Sequence, residues 1–232
     1  MKFLQAKPSI RLLIFDLDGT LIDSKKDLAV SVQATLRYMR RDHLDDETIF
    51  SYVGQGAPAL IRRILGDDPS EEEVERGLHF FLRYYNEHKL DHTRLYPGVR
   101  ETLTRLARGN GRTRRTFAVL TNKPVYPSRG IIEDLGLSEL FPLVYGGNSF
   151  HSKKPDPVGV HTILEACRAD PSETMIVGDS DVDIATGVNA GIWTCGVTYG
   201  FGDFQPHHPP DLLVHRFAAL GEALQEPHLK SR

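Results

Sequence analysis

The sequence predicts an α/β protein: a doubly wound parallel sheet with an α-helical segment inserted near its start. Three observations lead there. Short apolar runs recur along the chain, and each ends in polar residues or glycine: RLLIFDL at 11–17, TFAVLTN at 116–122, PLVYGG at 142–147, MIVGDS at 175–180 and WTCGVTYG at 193–200. From about residue 98 onward these runs alternate with stretches of roughly ten residues whose apolar positions fall at helical spacing, the pattern of parallel βαβ units. The region 24–93 shows only the helical spacing.

Taken in order, 11–17 is the first strand. DLAVSVQATLRYM and EEVERGLHFFLRYYNEH follow as amphipathic helices with no strand pattern between them. YPGV at 96–99 returns the chain to the sheet, Pro and Gly serving as punctuation. Helices are then expected at 98–108, carrying Leu103 and Leu106, at 125–135, at 157–168, carrying Val160, Ile163, Leu164 and Cys167, and at 181–190. A last helix is expected near 216–224. The resulting division is 1–23 with 94–232 as the α/β core and 24–93 as a helical insert. In such open sheets, ligands bind outside the carboxyl ends of the strands.

Composition narrows the partners. The 232 residues are 40% hydrophobic and 25% charged, with a net charge of -3 and a pI near 6.4. Nothing in that balance suggests a nucleic-acid groove or an anionic membrane. The apolar runs are too short to span a bilayer, and residues 1–9 lack the apolar stretch of a secretory signal, so a cytoplasmic protein is expected. Cys167 and Cys195, far apart in apolar surroundings, read as reduced core thiols. The charge runs EEE (71–73) and RTRR (112–115) read as solvated surface, as does HH at 207–208.

Four clusters carry chemistry. Asp16 and Asp18 close the first apolar run; side chains at i and i+2 of a strand share a face, so two carboxylates meet where ionised groups are costly to desolvate. DG is also an ordinary turn signal. The second cluster is TNK at 121–123, where the Thr121 hydroxyl and the Asn122 side-chain amide and backbone N–H can donate to an anion. The third is SKKPDP at 152–157: Pro155 biases Lys154 towards extended backbone, and Pro157 suits a helix start. The fourth, GDSDVD at 178–183, sets three acids after an apolar strand, more than helix capping requires. Carboxylates converging at strand ends suit Mg²⁺, which takes oxygen ligands and retains waters.

With FDLDGTL, LTN, KKP and GDSDVD in this order, the sequence resembles the haloacid dehalogenase superfamily of phosphohydrolases, whose core is Rossmann-like and carries a helical cap. The resemblance implies Asp16 as nucleophile and Asp18 as general acid/base. It implies Thr121, Asn122 and Lys154 as phosphoryl ligands, and Mg²⁺ held by Asp16, the backbone carbonyl of Asp18 and Asp179. Asp183 would support the site from behind, and Thr20 falls in the loop leading to the family's small flap. VGQGAPALIRRI at 53–64 resembles the cap loop that reaches the site, making Gly54, Gln55, Gly56 and Arg62 specificity candidates. VLTNKP, KKPDP and GVTYG point to the phosphoglycolate phosphatase branch, which implies a small phosphorylated metabolite, 2-phosphoglycolate first. A sugar-phosphate or pyrophosphate hydrolase, or a phosphoglucomutase-like transferase, would use the same chemistry. A non-catalytic regulator accepting phosphate on Asp16 is the alternative of a different class.

Overall fold

Four consecutive apolar residues, Leu12–Phe15, form strand β1, buried along its whole length. A computed structural model of the chain describes residues 2–6, 8–109, 114–202 and 208–224. Helix α1 (Lys2–Ala6) precedes β1; strand β2 (Ile22–Asp23) follows it, and then come helices α2 (Lys25–Tyr38), α3 (Asp46–Ser51), α4 (Ala57–Ile64) and α5 (Glu71–His88) and strand β3 (Arg94–Leu95). Helices and strands then alternate as α6 (Val99–Arg108), β4 (Thr116–Leu120), α7 (Val125–Asp134), β5 (Leu143–Tyr145), α8 (Val158–Cys167), β6 (Thr174–Gly178), α9 (Asp181–Ala190) and β7 (Trp193–Val197). Strand β8 (Leu212–Val214) and helix α10 (Phe217–Ala223) end the described chain.

The main sheet runs β5-β4-β1-β6-β7-β8, every pairing parallel. Strand period 2 sends Leu13 and Phe15 into one apolar cluster and Leu12 and Ile14 into another, so helices cover both faces. From β1 the chain winds first to β4 and β5, then returns to β6 on the opposite side. The direction of winding therefore reverses beside β1, the point where a crevice opens at the strand ends.

The helices α2–α5 leave and rejoin the sheet through one antiparallel ribbon, Ile22 opposite Leu95 and Asp23 opposite Arg94. Buried Asp27 fastens its base, accepting hydrogen bonds from the backbone N–H of His92 and Thr93 and from the Thr93 hydroxyl. Helix α5 opens with a capping box between Ser70 and Glu73, and its apolar face packs on α2 and α4.

Several expectations change. β8, only three residues beyond a proline-rich stretch, was not anticipated, because so short a run carries no readable alternation. In RTRR, Arg112 and Thr113 lie outside the described residues; Arg115 is not a solvated charge but donates to the carbonyls of Ile10 and Leu224. His207 also lies outside the described residues, and His208 is half-buried rather than solvent-facing. Both cysteines are free thiols. Among the described residues, no helix is long and apolar enough to cross a membrane.

Candidate active site

The carboxyl ends of β1, β4 and β6 release three loops into the same crevice, and each loop begins with polar residues that the strand register holds in place. Asp16 leaves β1 tied by its backbone N–H to the Val177 carbonyl of β6 at 2.9 Å. Thr121 leaves β4 tied to the Tyr145 carbonyl of β5 at 3.0 Å. Asp179 follows Gly178, at which an added Cβ would fall 2.2 Å from Asp183, so only glycine lets the two acids lie this close. Lys154 arrives from the loop before α8 through a cis peptide bond to Pro155.

Two ion pairs sit side by side there. The buried Lys154 ammonium lies 2.9 Å from Asp16 Oδ1 and 2.6 Å from Asp183 Oδ1. Apart from that ammonium, Asp16 Oδ1 is buried with no polar partner among the described residues. The buried Lys123 ammonium reaches both oxygens of Asp18, at 3.0 and 2.9 Å. Ser24, the residue before α2, donates to Asp18 Oδ1 as well. Burial opposes the charge on each lysine, yet the facing carboxylates outweigh it and hold both above the ordinary lysine range.

The other acids differ in their surroundings. Asp179 accepts from the Thr20 hydroxyl at 3.1 Å and from the backbone N–H of Phe201 and Gly202 at 2.7 and 3.1 Å. The Tyr199 hydroxyl donates to the Thr20 carbonyl, so the GVTYG turn after β7 braces both Asp179 and the loop carrying Thr20. Asp183 closes the capping box of α9 with Ser180 and is fully buried behind Lys154.

One oxygen each from Asp16, Asp179 and Asp183 lies within 4.8 Å of the others. Burial pushes the Asp16 carboxyl up to about 7 against the pull of Lys154, with repulsion from Asp183 and Asp179 added. Burial and Asp183 push Asp179 up to about 6. Fully ionised, Asp16, Asp18, Asp179 and Asp183 exceed Lys123 and Lys154 by two negative charges. This donor set, three carboxylates in surplus over the ammonium groups, fits a hard divalent cation. Asp16, Asp18 and Asp179 line the adjoining cavity of about 200 Å³, whereas Asp183 does not.

The same cavity is lined by Thr121, Asn122, Lys154, Gly54 and Gly56, and from the helical segment also by Tyr85 and Phe81. The Asn122 side chain does not point its N–H groups at an anion: they donate to the carbonyls of Gly54 at 3.0 Å and Lys154 at 3.1 Å. Its task is to join the 53–56 loop to the strand ends, which leaves its backbone N–H as the donor for a ligand. Gly56, at φ +84°, packs so close that a Cβ would stand 2.9 Å from the Asn122 carbonyl. Gln55 is turned away; its carbonyl takes Lys153 Nζ and its side chain takes Arg63. Arg62 does not come to the cavity at all. It is exposed on α4 and pairs with Glu71 at 2.8 Å, because the period of α4 turns Leu60, Ile61 and Ile64 inward and Arg62 outward. Sequence reasoning missed Lys123, Ser24 and Tyr85; Lys123 was signalled only as the last residue of TNK, and Tyr85 read as an ordinary core position of an amphipathic helix.

Residues 13–197 match the haloacid dehalogenase-like hydrolase family. A phosphoglycolate phosphatase of Vibrio parahaemolyticus is 38% identical over 93% of this chain and 96% of its own length. One from Aquifex aeolicus is 36% identical over 88% and 95%. The crystal structure of a predicted phosphoglycolate phosphatase from Haemophilus somnus superposes with a TM-score of 0.86 at 31% identity, covering 94% of this chain and 99% of that one. The chain belongs to the haloacid dehalogenase-like hydrolase family. Within it, the chain is a phosphoric monoester hydrolase of the phosphoglycolate phosphatase-like type.

Proposed function

We propose that this phosphatase hydrolyses a small phosphomonoester, 2-phosphoglycolate foremost, with Mg²⁺ and through an aspartyl-phosphate on Asp16. The observation that carries the reading is the convergence of Asp16, Asp18, Thr121, Asn122 and Lys154 on one cavity of about 200 Å³. Such a cavity suits a small phosphorylated ligand. The names of the relatives support the glycolate ester.

Asp16 and Asp179, with the backbone carbonyl of Asp18, would hold Mg²⁺, and Asp183 would keep Lys154 in place. When bound, the ion supplies positive charge against the phosphoryl oxygens and the surplus carboxylates. Lys154, the Thr121 hydroxyl and the Asn122 N–H bind the remaining phosphoryl oxygens. An Asp16 oxygen forms a bond to phosphorus as the ester P–O bond breaks, and Asp18 gives its proton to the departing alkoxide oxygen. Water then attacks the phosphorus of the acyl phosphate, its proton passes to Asp18, and phosphate leaves with Asp16 restored. The helices between β2 and β3 act as a cap, their 53–56 loop lying over the phosphoryl end of the cavity. Ser24 and Lys123 hold the Asp18 carboxylate on the wall of the cavity, where it can take the proton of an attacking water, a task that a phospho-acceptor switch does not need.

The test is phosphate release from 2-phosphoglycolate, sugar phosphates, nucleotides and pyrophosphate, with Mg²⁺ and with chelator. The glycolate ester should give the highest kcat/KM, and chelator should abolish turnover. If no phosphomonoester is hydrolysed, the regulator reading replaces this one.

A further inference from the structure

Lys123 lines the cavity but has no task in the steps above. Its ammonium is buried and donates to both oxygens of Asp18. It sits 4.2 Å from the centroid of the Tyr85 ring. Apart from the neighbouring Lys123 ammonium, the buried Tyr85 hydroxyl has no polar partner among the described residues, and its own proton has no acceptor there. A hydroxyl with no acceptor for its proton, set beside an ammonium on the wall of the cavity, offers donors to an acceptor on a bound ligand. The neighbouring wall, Leu28, Phe81 and Leu82, offers no polar group.

Position decides what that something is. Lys154 serves the phosphoryl end through Asp16, whereas Lys123 touches the carboxylate assigned to the leaving oxygen, so it faces the organic half of the substrate. A single ammonium in so small a cavity matches a compact anion rather than a second phosphoryl group on a sugar. We infer that Lys123 and Tyr85 recognise a carboxylate on the organic half of the substrate, one carbon from the ester oxygen. They are therefore specificity-determining residues of the site. The inference rests on the phosphatase reading above. It divides the two lysines by task, Lys154 for the phosphoryl group and Lys123 for the acid that distinguishes the substrate.

The experiment compares 2-phosphoglycolate with 2-hydroxyethyl phosphate, in which an uncharged CH₂OH replaces the carboxylate. The wild-type chain should prefer the carboxylate by about 100-fold or more in kcat/KM, since a site built to bind a polar group rejects the analogue lacking it. Lys123→Met should bring that ratio to within about threefold, mainly through a raised KM for 2-phosphoglycolate, and Lys123→Arg should restore part of it. Tyr85→Phe, which leaves the Lys123–Asp18 pair in place and guards against misfolding of the methionine variant, should lower the ratio about tenfold. Equal wild-type rates on the two esters would overturn the inference. So would a Lys123→Met variant that slows both esters equally and keeps the ratio, for Lys123 would then only position Asp18. Wild-type protein that hydrolyses neither ester, nor any other phosphomonoester, would overturn the phosphatase reading itself and this inference with it.

Discussion

The Asp16–Lys154 pair and the Asp18–Lys123 pair stand two residues apart on one loop, yet they are built differently. Lys154 is held between Asp16 and Asp183, all three from the α/β core. Lys123 is held between Asp18 and the ring of Tyr85, which belongs to α5 of the helical segment. The first arrangement is therefore complete within the sheet's own loops. The second exists only when the helices lie against the core. In the proposed mechanism this places the attack on phosphorus wholly among core residues, and brings a residue of the helical segment, Tyr85, up to the pair that handles the leaving group.

Removing the acids should break the comparison most sharply. Asp16→Asn is expected to lower kcat by at least about 10⁴-fold with the fold retained, because the residue that would carry the phosphoryl group is lost. Asp18→Asn should lower it by about 10²- to 10⁴-fold, the range of general acid–base catalysis. Steady-state rates alongside circular dichroism check both, and equal losses would erase the distinction between the pairs.

The lysine of the core pair should matter next, and for stability. Lys154→Met strands Asp16 and Asp183 without their shared buried partner, so chemical denaturation should show a loss of about 3–5 kcal/mol. A variant as stable as the parent would mean that the pair is not fully desolvated.

A smaller effect follows from the raised carboxyls. Asp16 titrates near 7 and Asp179 near 6, against an ordinary 3.8, so between those values the folded chain keeps protons that the unfolded chain has lost. Metal-free stability therefore falls as pH rises from 3.8 towards 7. A divalent cation takes the place of those protons, so Mg²⁺ should raise Tm more at about pH 7.5 than at about pH 5. A Tm gain independent of pH would place the ion elsewhere. The least change is expected at Arg62, whose pair with Glu71 is exposed: Arg62→Ala should shift stability by less than about 0.5 kcal/mol and leave kcat/KM within about twofold.

What was legible in the sequence follows the same division. β1, β4 and β6 announce themselves as apolar runs ending in polar residues, and strand register brings their ends together with Asp16, Asp18, Thr121 and Asp179, while Lys154 joins them from the proline-marked loop before α8. The two-sided core was legible too, since uninterrupted apolar strands must be covered on both faces. The contribution of the helical segment was legible only in part: the loop carrying Gly54 and Gly56 was expected at the site and lines it, whereas the part played by α5 was not expected. Tyr85 looks like any inward position of α5, and only the packing of α5 against the loop after β4 brings its ring to Lys123. Arg62 erred for the complementary reason: nearness in sequence to a glycine loop says nothing about which way a helix turns its side chains. Of the two donors expected of Asn122, the side-chain amide is taken up by two backbone carbonyls that sequence cannot reveal, and the backbone N–H remains.

The central claim is that Asp16 itself accepts the phosphoryl group. Its most direct test is acid quenching of the protein during turnover of radiolabelled 2-phosphoglycolate, followed by hydroxylamine treatment of the recovered chain. Label should be found on the protein, hydroxylamine should release it as from an acyl phosphate, and the Asp16→Asn variant should carry none. Label that resists hydroxylamine, or that persists in Asp16→Asn, would contradict the account.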